Sequence, residues 1–292
     1  MVRRGVVQLL SALLHNANLP GFITGRIWQA QPKSVCVPVL NCYSCPGALG
    51  ACPIGSLQST LAGTALKFPF YVVGLLLLFA LCLGRVICGW LCPFGLVQDL
   101  LHRIPIFRKR KNLPGHSALV YLKYGVLALF VLILPATVAV TVTGMGEPWF
   151  CKYICPSGTL LGGLPLLAAN PSFRSAAGAL FGWKFAVLLA VVLLSVKYYR
   201  PFCKYLCPLG AVYGWFNPIA LYRLRVDEDK CVKCSACQKA CGMDIPVWEK
   251  PNSVECIRCG DCRAVCPTGA IETTAERFRQ RKMKRETEKE LQ

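Results

Sequence analysis

Two cysteine quartets in the last quarter of the chain carry its strongest chemical signal. They run Cys231-x2-Cys234-x2-Cys237-x3-Cys241 and Cys256-x2-Cys259-x2-Cys262-x3-Cys266-Pro267. In two-cluster ferredoxins, three cysteines of each run hold one [4Fe-4S] cluster and the fourth ligates the other cluster. The spacing therefore predicts two clusters, one on Cys231, Cys234, Cys237 and Cys266, the other on Cys256, Cys259, Cys262 and Cys241. The alternative, a zinc ribbon, would need only four ligands in two pairs.

A second cysteine pattern, Cys-Pro-x-Gly, repeats in the apolar part of the chain. Its four copies begin at Cys52, Cys92, Cys155 and Cys207. The second and fourth copies agree further, as Arg85-x2-Cys88-x3-Cys92 and Arg200-x2-Cys203-x3-Cys207. This agreement indicates a duplicated two-helix unit with an axis along the membrane normal. Proline suits the first turn of a helix, and the helix dipole favours a thiolate just before that turn.

Two such cysteine pairs would supply four thiolates, the number that one cluster needs. We expect Cys88, Cys92, Cys203 and Cys207, named here the inner thiol set, to bind a cluster near the cytoplasmic side. On the outer side, Cys151 and Cys155 need partners from Cys36, Cys42, Cys45 and Cys52, and we predict Cys45 and Cys52. That choice stays open, because Ala48 stands where the repeat expects a cysteine. Periplasmic disulfides and reducing dithiols are the alternatives to cluster binding.

The elements that must position these cysteines are membrane helices. Hydrophobic residues make up 54% of the chain and charged residues only 16%, which is typical of a membrane protein. Leu61 to Gly84, Ala118 to Val142 and Leu180 to Tyr199 each reach the roughly 20 residues that a bilayer crossing needs. Polar residues interrupt a weaker run from Val6 to Ile27, which we predict to be a retained helix rather than a signal peptide.

Basic residues fix the predicted orientation. The formal charge is +19, with five basic residues between Arg103 and Lys111 and five more at Lys197, Arg200, Lys204, Arg223 and Arg225. Loops rich in lysine and arginine stay in the cytoplasm, so both termini and the reduced cysteine quartets are predicted there. We expect a multi-pass protein of the inner membrane. No aromatic-and-basic RNA signature is present, so no nucleic-acid partner is expected.

The predicted fold is an all-α polytopic bundle of four transmembrane helices, followed by an α+β ferredoxin domain of the bacterial two-[4Fe-4S] type. The predicted boundaries are a membrane domain over 1–225, a ferredoxin domain over 226–275 and a charged tail over 276–292.

The chain resembles the NapH-type membrane ferredoxins, which accompany periplasmic nitrate reductases, and related accessory proteins of nitrous-oxide reductase. The resemblance rests on the segment from Gly21 to Arg26, the C-x3-C-P motifs, four spans and the C-terminal quartets. The chain departs from the simplest members by a third C-x3-C-P motif, at Cys151 and Cys155, and by the Cys42-x2-Cys45-x6-Cys52 group.

The resemblance implies electron transfer between the quinone pool, a cytoplasmic ferredoxin-like donor or acceptor, and a periplasmic cytochrome or reductase. The expected cofactors are two [4Fe-4S] clusters, one or two further clusters in the membrane domain, and quinone. The expected role is an electron-transfer subunit of a quinol dehydrogenase. An accessory reductase that matures a metal or thiol centre of another enzyme is the alternative function, and a redox sensor is disfavoured because the sequence contains no output domain.

Overall fold

The computed structural model describes residues 2–29, 31–63, 68–138, 146–175, 177–279 and 283. The expected spans from Leu61 to Gly84 and from Ala118 to Val142 run partly outside these residues, and so does most of the tail over 276–292.

Helices dominate the part of the chain that precedes the cysteine quartets. In chain order the structure has the α-helices Val2–His15, Leu19–Thr24, Pro53–Leu61, Phe70–Leu83, Val86–Trp90, Pro93–Arg103, His116–Leu119, Leu122–Val126, Leu134–Val138, Pro156–Gly158, Leu164–Ala169, Pro171–Ser175, Ala179–Lys197, Pro201–Tyr205 and Pro208–Trp215. Three wider π-helical segments are Leu127–Ile133, Phe150–Ile154 and Thr159–Gly163, and a short 3-10 helix is Gln31–Ser34.

Two helices within the described residues are long and apolar enough to cross a membrane. They are His116–Thr137 and Ala179–Lys197. The apolar helix Phe70–Leu83 has 14 residues, fewer than the roughly 20 that a crossing needs. The N-terminal run forms two helices, Val2–His15 and Leu19–Thr24, because Pro20 cannot continue a helix from the preceding residues. The chain is therefore helical as predicted, with fewer full-length spans among the described residues than the four expected.

The N-terminal helix Val2–His15 has its polar side inward. Gln8 and Ser11 are buried against the rest of the chain, whereas Leu10 and Leu14 are more than half exposed. Water would favour the opposite arrangement, but in a bilayer polar side chains turn to the protein interior and apolar ones to lipid. This pattern supports a membrane environment for a helix that is too short to span it alone.

All four Cys-Pro-x-Gly copies begin helices in the same way. The helices start at Pro53, Pro93, Pro156 and Pro208, and the preceding cysteine is the N-cap residue each time. The backbone amide of Gly210 lies 3.4 Å from the Cys207 sulfur. The sequence prediction that each proline occupies a first helical turn is thereby confirmed.

The C-terminal part is small and closed by one two-stranded antiparallel sheet. Strand Leu224–Val226 pairs with Ile271–Thr273, with Arg225 opposite Glu272. Between the strands lie the short helices Ala236–Ala240 and Asp261–Ala264, one within each cysteine quartet. The sheet thus brings the two ends of the quartet region together.

Candidate metal centres

The two C-terminal quartets enclose two separate pockets. One pocket is lined by Cys231, Cys234, Cys237 and Cys266. The other is lined by Cys241, Cys256, Cys259 and Cys262. Each run thus contributes three cysteines to one pocket and its fourth to the other, the crossed arrangement that the spacing predicts.

The chemistry of these pockets fits an iron–sulfur cluster. Apart from the thiols, apolar side chains such as Val226, Ile245 and Ile257 form much of the walls. Within the described residues, no group of three or more His, Cys, Asp or Glu side chains is placed to hold a single metal ion. Four thiols around an apolar space suit a multi-atom cluster, whose iron atoms are held by cysteine thiolates.

The loop that carries Cys256 and Cys259 lies directly against the helix that carries Cys88. A Cβ atom added at Gly89 would lie 2.3 Å from the Ile257 carbonyl oxygen, so only glycine permits this approach. The Trp90 indole N–H donates to the Arg258 carbonyl at 3.0 Å. One ferredoxin pocket and the inner thiol set are therefore joined by a backbone-to-backbone contact.

A buried ion cluster fixes the same contact. Glu255, beside Cys256, accepts from the Arg85 guanidinium at 2.9 Å and also from the Lys123 ammonium. The side chains of Arg85 and Lys123 are fully buried. Burial opposes ionisation of Glu255, but Arg85 and then Lys123 outweigh it and lower the pKa of this carboxyl. One carboxylate faces two cations, which leaves a surplus of positive charge next to the inner thiols.

Glu255→Gln is expected to destabilise the docked ferredoxin part by about 3 kcal/mol, because it leaves two buried cations without their carboxylate. The measurement is thermal loss of the visible cluster absorbance in detergent. Glu249→Gln is the matched control, since Glu249 is exposed in the same segment. Equal melting of the two variants would show that the ion cluster does not hold the contact.

The inner thiol set has a reciprocal arrangement around two buried arginines. Arg85 precedes Cys88 and donates to the carbonyl of Cys203 at 3.1 Å. Arg200 precedes Cys203 and donates to the carbonyl of Cys88 at 2.6 Å. Arg200 also pairs with Asp99. All four inner thiols are buried, and the crossed arginine contacts hold the two cysteine segments together.

Gln98 makes the most direct polar contact with an inner thiol. Its side-chain N–H lies 3.0 Å from the Cys203 sulfur, and its Oε1 accepts from the backbone N–H of Phe202 at 3.2 Å. Hydrogen bonds to the sulfurs help to set cluster potentials. Sequence reasoning missed this residue, although Cys92-Pro-x-Gly-x2-Gln98 repeats Cys52-Pro-x-Gly-x2-Gln58 and could have pointed to it.

Lys204 lies between the inner set and the first quartet. Its ammonium donates to the Lys111 carbonyl at 2.9 Å and to Asn112 Oδ1 at 2.8 Å. Burial lowers the pKa of Lys204 to about 8, although the Cys241 thiol and Asp244 act in the opposite direction. The basic loop that the sequence places in the cytoplasm is thus tied to the segment next to Cys241.

The N-terminal helix closes the inner site from another side. The Arg4 guanidinium reaches Asp99 at 2.9 Å and Asp261, next to Cys262, at 3.2 Å. Gln8 donates to the same Asp99 carboxylate at 3.3 Å. One residue of this helix therefore bridges the membrane part and the ferredoxin part.

The outer cysteines line a cavity of about 320 Å³, and its thiols differ from those expected. They are Cys42, Cys52, Cys151 and Cys155. The predicted Cys45 does not line this cavity, because its thiol is buried elsewhere and donates to Asn16 at 3.4 Å. The Cys36 thiol also lies apart and donates to Ser56 at 3.2 Å. Cys42 therefore takes the place that the sequence interpretation gave to Cys45.

Comparisons with known proteins point to iron–sulfur chemistry. Two protein-family models match the chain, both described as 4Fe-4S binding domains. One matches residues 64–114, 127–168, 180–225 and 262–286, and the other 250–272. The first match covers more than half of the chain and includes the inner thiol set. No solved structure matches the chain at a significant level.

Three relatives illustrate the similarity. An uncharacterized protein of Methanocaldococcus jannaschii is 34% identical over 66% of this chain and 65% of its own length. The ferredoxin-type protein NapH of Haemophilus influenzae is 30% identical over 71% of this chain and 65% of its own. The methylamine utilization ferredoxin-type protein MauN of Paracoccus denitrificans is 31% identical over 67% and 62%. The matched region covers just under two thirds of each relative.

Proposed function

Because the chain belongs to the family of ferredoxin-type proteins with 4Fe-4S binding domains, we propose that it relays electrons within a membrane, between the quinone pool and soluble redox partners. Electron transport by an iron–sulfur protein is the shared character of the family. The quinone link and the partners are the new part of the proposal.

One observation carries this proposal: the Cys256 to Cys259 loop packs on the helix of Cys88. Gly89 has no side chain at that contact, and the Ile257 carbonyl fills the space. The clusters, when bound, would supply one-electron carriers at the two sites that this contact joins. The buried Arg85 and Glu255 hold the two sites at a fixed separation, as a relay requires.

We assign the cluster ligands as the sequence predicts for the two ferredoxin quartets and the inner thiol set. The paired pockets support the first assignment. The family match over the membrane cysteines and the buried arginines around them support the second. Thiols must lose their protons to bind iron, and the surplus of positive charge near Glu255 favours the resulting negative site.

A second outer cavity supports the quinone proposal. It has a volume of about 690 Å³, within the range of small-molecule sites. Hydroxyl-bearing side chains of Ser56, Ser59 and Thr60 line it, and it shares Cys151 with the cavity of the outer thiols. The Ser56 hydroxyl accepts from the Cys36 thiol and keeps its own proton to donate to a quinone carbonyl, whereas the Thr60 hydroxyl donates to backbone carbonyls of its own helix. Quinol oxidation there would release two protons to the outside and two electrons, one at a time, to the thiol-bound carriers.

We further propose the four-span topology, with both termini and the ferredoxin domain in the cytoplasm and domains over 1–225, 226–275 and 276–292. The basic loops support it, as does the inward polar side of the Val2–His15 helix. The partners would be a cytoplasmic ferredoxin-like protein and a periplasmic cytochrome or reductase.

The test is anaerobic mixing of the full chain with a menaquinol analogue. We expect the visible absorbance of the clusters to bleach, and to recover when the oxidised quinone is added in excess. The Cys155→Ser variant should exchange electrons with quinol much more slowly, because Cys155 lies in the outer thiol cavity. Reduction by dithionite in both variants controls for cluster content.

Two outcomes would contradict the proposal. Equal, fast exchange in the wild type and in Cys155→Ser, with no transfer to an outer acceptor, would indicate a one-sided quinone oxidoreductase. An absence of exchange with quinol, together with a titratable disulfide among the outer cysteines, would instead favour an accessory reductase that matures another enzyme.

A further inference from the structure

We propose that Cys42, Cys52, Cys151 and Cys155 form a second [4Fe-4S] site in the membrane part, with Cys42 as the ligand that the repeat lacks at Ala48. We call it the outer cluster site. The proposal deepens the proposed electron relay and rests on it, because it adds a carrier between the quinone cavity and the inner thiol set.

The four thiols line one cavity, and the size of the cavity indicates the class of ligand. Its volume of about 320 Å³ is roughly ten times the share of one water molecule in the liquid. Zinc would draw its thiolate donors to about 2.3 Å around a single point, and no such group occurs among the described residues. Thiols spread around a larger space suit a cluster.

The glycines of the repeat show why Cys42 is the fourth ligand. Gly55 and Gly158 occupy the same position in two Cys-Pro-x-Gly copies. A Cβ added at Gly55 would lie 3.8 Å from the Cys151 sulfur, and one added at Gly158 would lie 3.6 Å from the Cys42 sulfur. Cys42 is therefore placed beside one Cys-Pro-x-Gly copy in the same way that Cys151 is placed beside the other. Cys151 is the first cysteine of its C-x3-C-P motif, so Cys42 takes the equivalent role.

Gln58 repeats at the outer site what Gln98 does at the inner one. Its side-chain N–H lies 3.4 Å from the Cys151 sulfur, and its Oε1 accepts from the backbone N–H of Phe150 at 2.9 Å. In both sites the glutamine stands five residues after the proline of its Cys-Pro pair and contacts the first cysteine of the opposing motif. The outer cavity is therefore built on the same plan as the inner thiol set.

Two polar groups at the cavity, the Ser157 hydroxyl and the Lys184 ammonium, can interact with an anionic cluster. The hydroxyl of Ser157, which lines the cavity, is buried and without a hydrogen bond in the described structure. A hydroxyl can donate to a cluster sulfur. Lys184, on the apolar helix Ala179–Lys197, also lines the cavity, and none of the described lining residues is Asp or Glu. A cation at such a place in a membrane protein needs an anionic partner, which a thiolate-bound cluster provides.

The outer site also lies next to the inner one. The Tyr213 hydroxyl, on the helix that Cys207 caps, donates to the Pro38 carbonyl at 3.0 Å, two residues before Leu40, which lines the outer cavity. Cluster binding would release the four thiol protons. In turnover the outer site would take the two electrons of each quinol one at a time and pass each to the inner site, while the two quinol protons leave to the outside, with no bond formed or broken in the protein.

The test compares Cys42→Ala with Cys45→Ala in the full chain, purified without oxygen. The two cysteines lie three residues apart in one loop, and only Cys42 lines the cavity. We expect Cys42→Ala to lose about four irons per chain, or to convert one cluster to a [3Fe-4S] form with its own electron paramagnetic resonance signal. Cys45→Ala should keep the wild-type iron content. Loss of the whole cluster in Cys42→Ala should make alkylation of Cys52 and Cys155 fast, whereas a [3Fe-4S] form would keep these two thiols protected, as in Cys45→Ala.

Other outcomes would overturn the outer site without touching the relay through the inner set. One such outcome is an equal iron content in the wild type, Cys42→Ala and Cys45→Ala, with outer thiols that alkylate freely in each. Another is a loss of iron in Cys45→Ala alone. A third is zinc or copper, instead of iron, bound in the wild-type outer site. Iron retained in the ferredoxin quartets reports that a variant is folded. Reduction of the remaining clusters by quinol is measured separately, so a failure of the proposed function shows in that assay and not in the iron count.

Discussion

Replacing Cys92 and Cys207 together with serine is expected to remove the inner cluster and about four irons per chain. Each cysteine precedes a helix of its own, and both thiols are buried with those of Cys88 and Cys203. Iron and acid-labile sulfide are counted in anaerobically purified full-length protein. Quinol should also fail to reduce the ferredoxin clusters, which dithionite would still reduce, because the relay is interrupted between them.

Cys82→Ser is the matched control for this double variant. Cys82 lies on the helix Phe70–Leu83 and lines none of the cysteine pockets described above. Its replacement should change neither iron content nor quinol reduction. If the double variant holds as much iron as Cys82→Ser, the inner thiols do not bind a cluster, and the membrane part of the relay must be abandoned.

Gly89→Ala is expected to separate the ferredoxin part from the inner site. The new Cβ would meet the Ile257 carbonyl at 2.3 Å, and a backbone atom cannot swing aside as a flexible side chain would. Overpacking of this kind costs about 1–3 kcal/mol. Reduction by quinol is measured by stopped-flow absorbance. It should therefore split into a fast phase from the membrane sites and a slow phase from the ferredoxin clusters.

Gly74→Ala controls for the general effect of a methyl group on an apolar helix, since nothing lies within 4 Å of a Cβ at Gly74. It should leave a single phase of reduction. A single fast phase in Gly89→Ala, with an unchanged iron count, would mean that this contact does not carry electrons.

The ferredoxin pockets were the most predictable part of the molecule. The cysteines that line each pocket follow from local spacing, because a cubane would fix how many residues can separate neighbouring thiols. The helix starts at Pro93 and Pro208 were equally predictable, since the ring of proline is compatible with a first helical turn. Both features depend on a few adjacent residues.

The outer cavity and the docking contact were not predictable in this way. Cys42 lies outside the repeat, and nothing in its immediate sequence distinguishes it from Cys45; only the folded loop brings one to the cavity and turns the other towards Asn16. In the sequence Gly89 resembles any helical glycine, because the close approach of the Ile257 carbonyl depends on the tertiary fold. The length of the Phe70–Leu83 helix likewise depends on a boundary that hydropathy alone does not mark.

Backbone carbonyl groups form a large part of the joint between the two parts of the protein, beside its side-chain ion pairs. Asn217 donates hydrogen bonds to the backbone carbonyls of Ser253 and Cys256, and Arg85 donates to the backbone carbonyl of Val254. Arg258, between the loop cysteines, adds side-chain contacts of its own, because its buried guanidinium donates to the Leu83 carbonyl at 2.9 Å and to the Asn217 carbonyl at 2.6 Å. Ferredoxin domains that keep this loop path and the side chains of Glu255, Arg258 and Asp261 should be exchangeable on this membrane part. Chimeric proteins can use this modularity to vary the soluble partner.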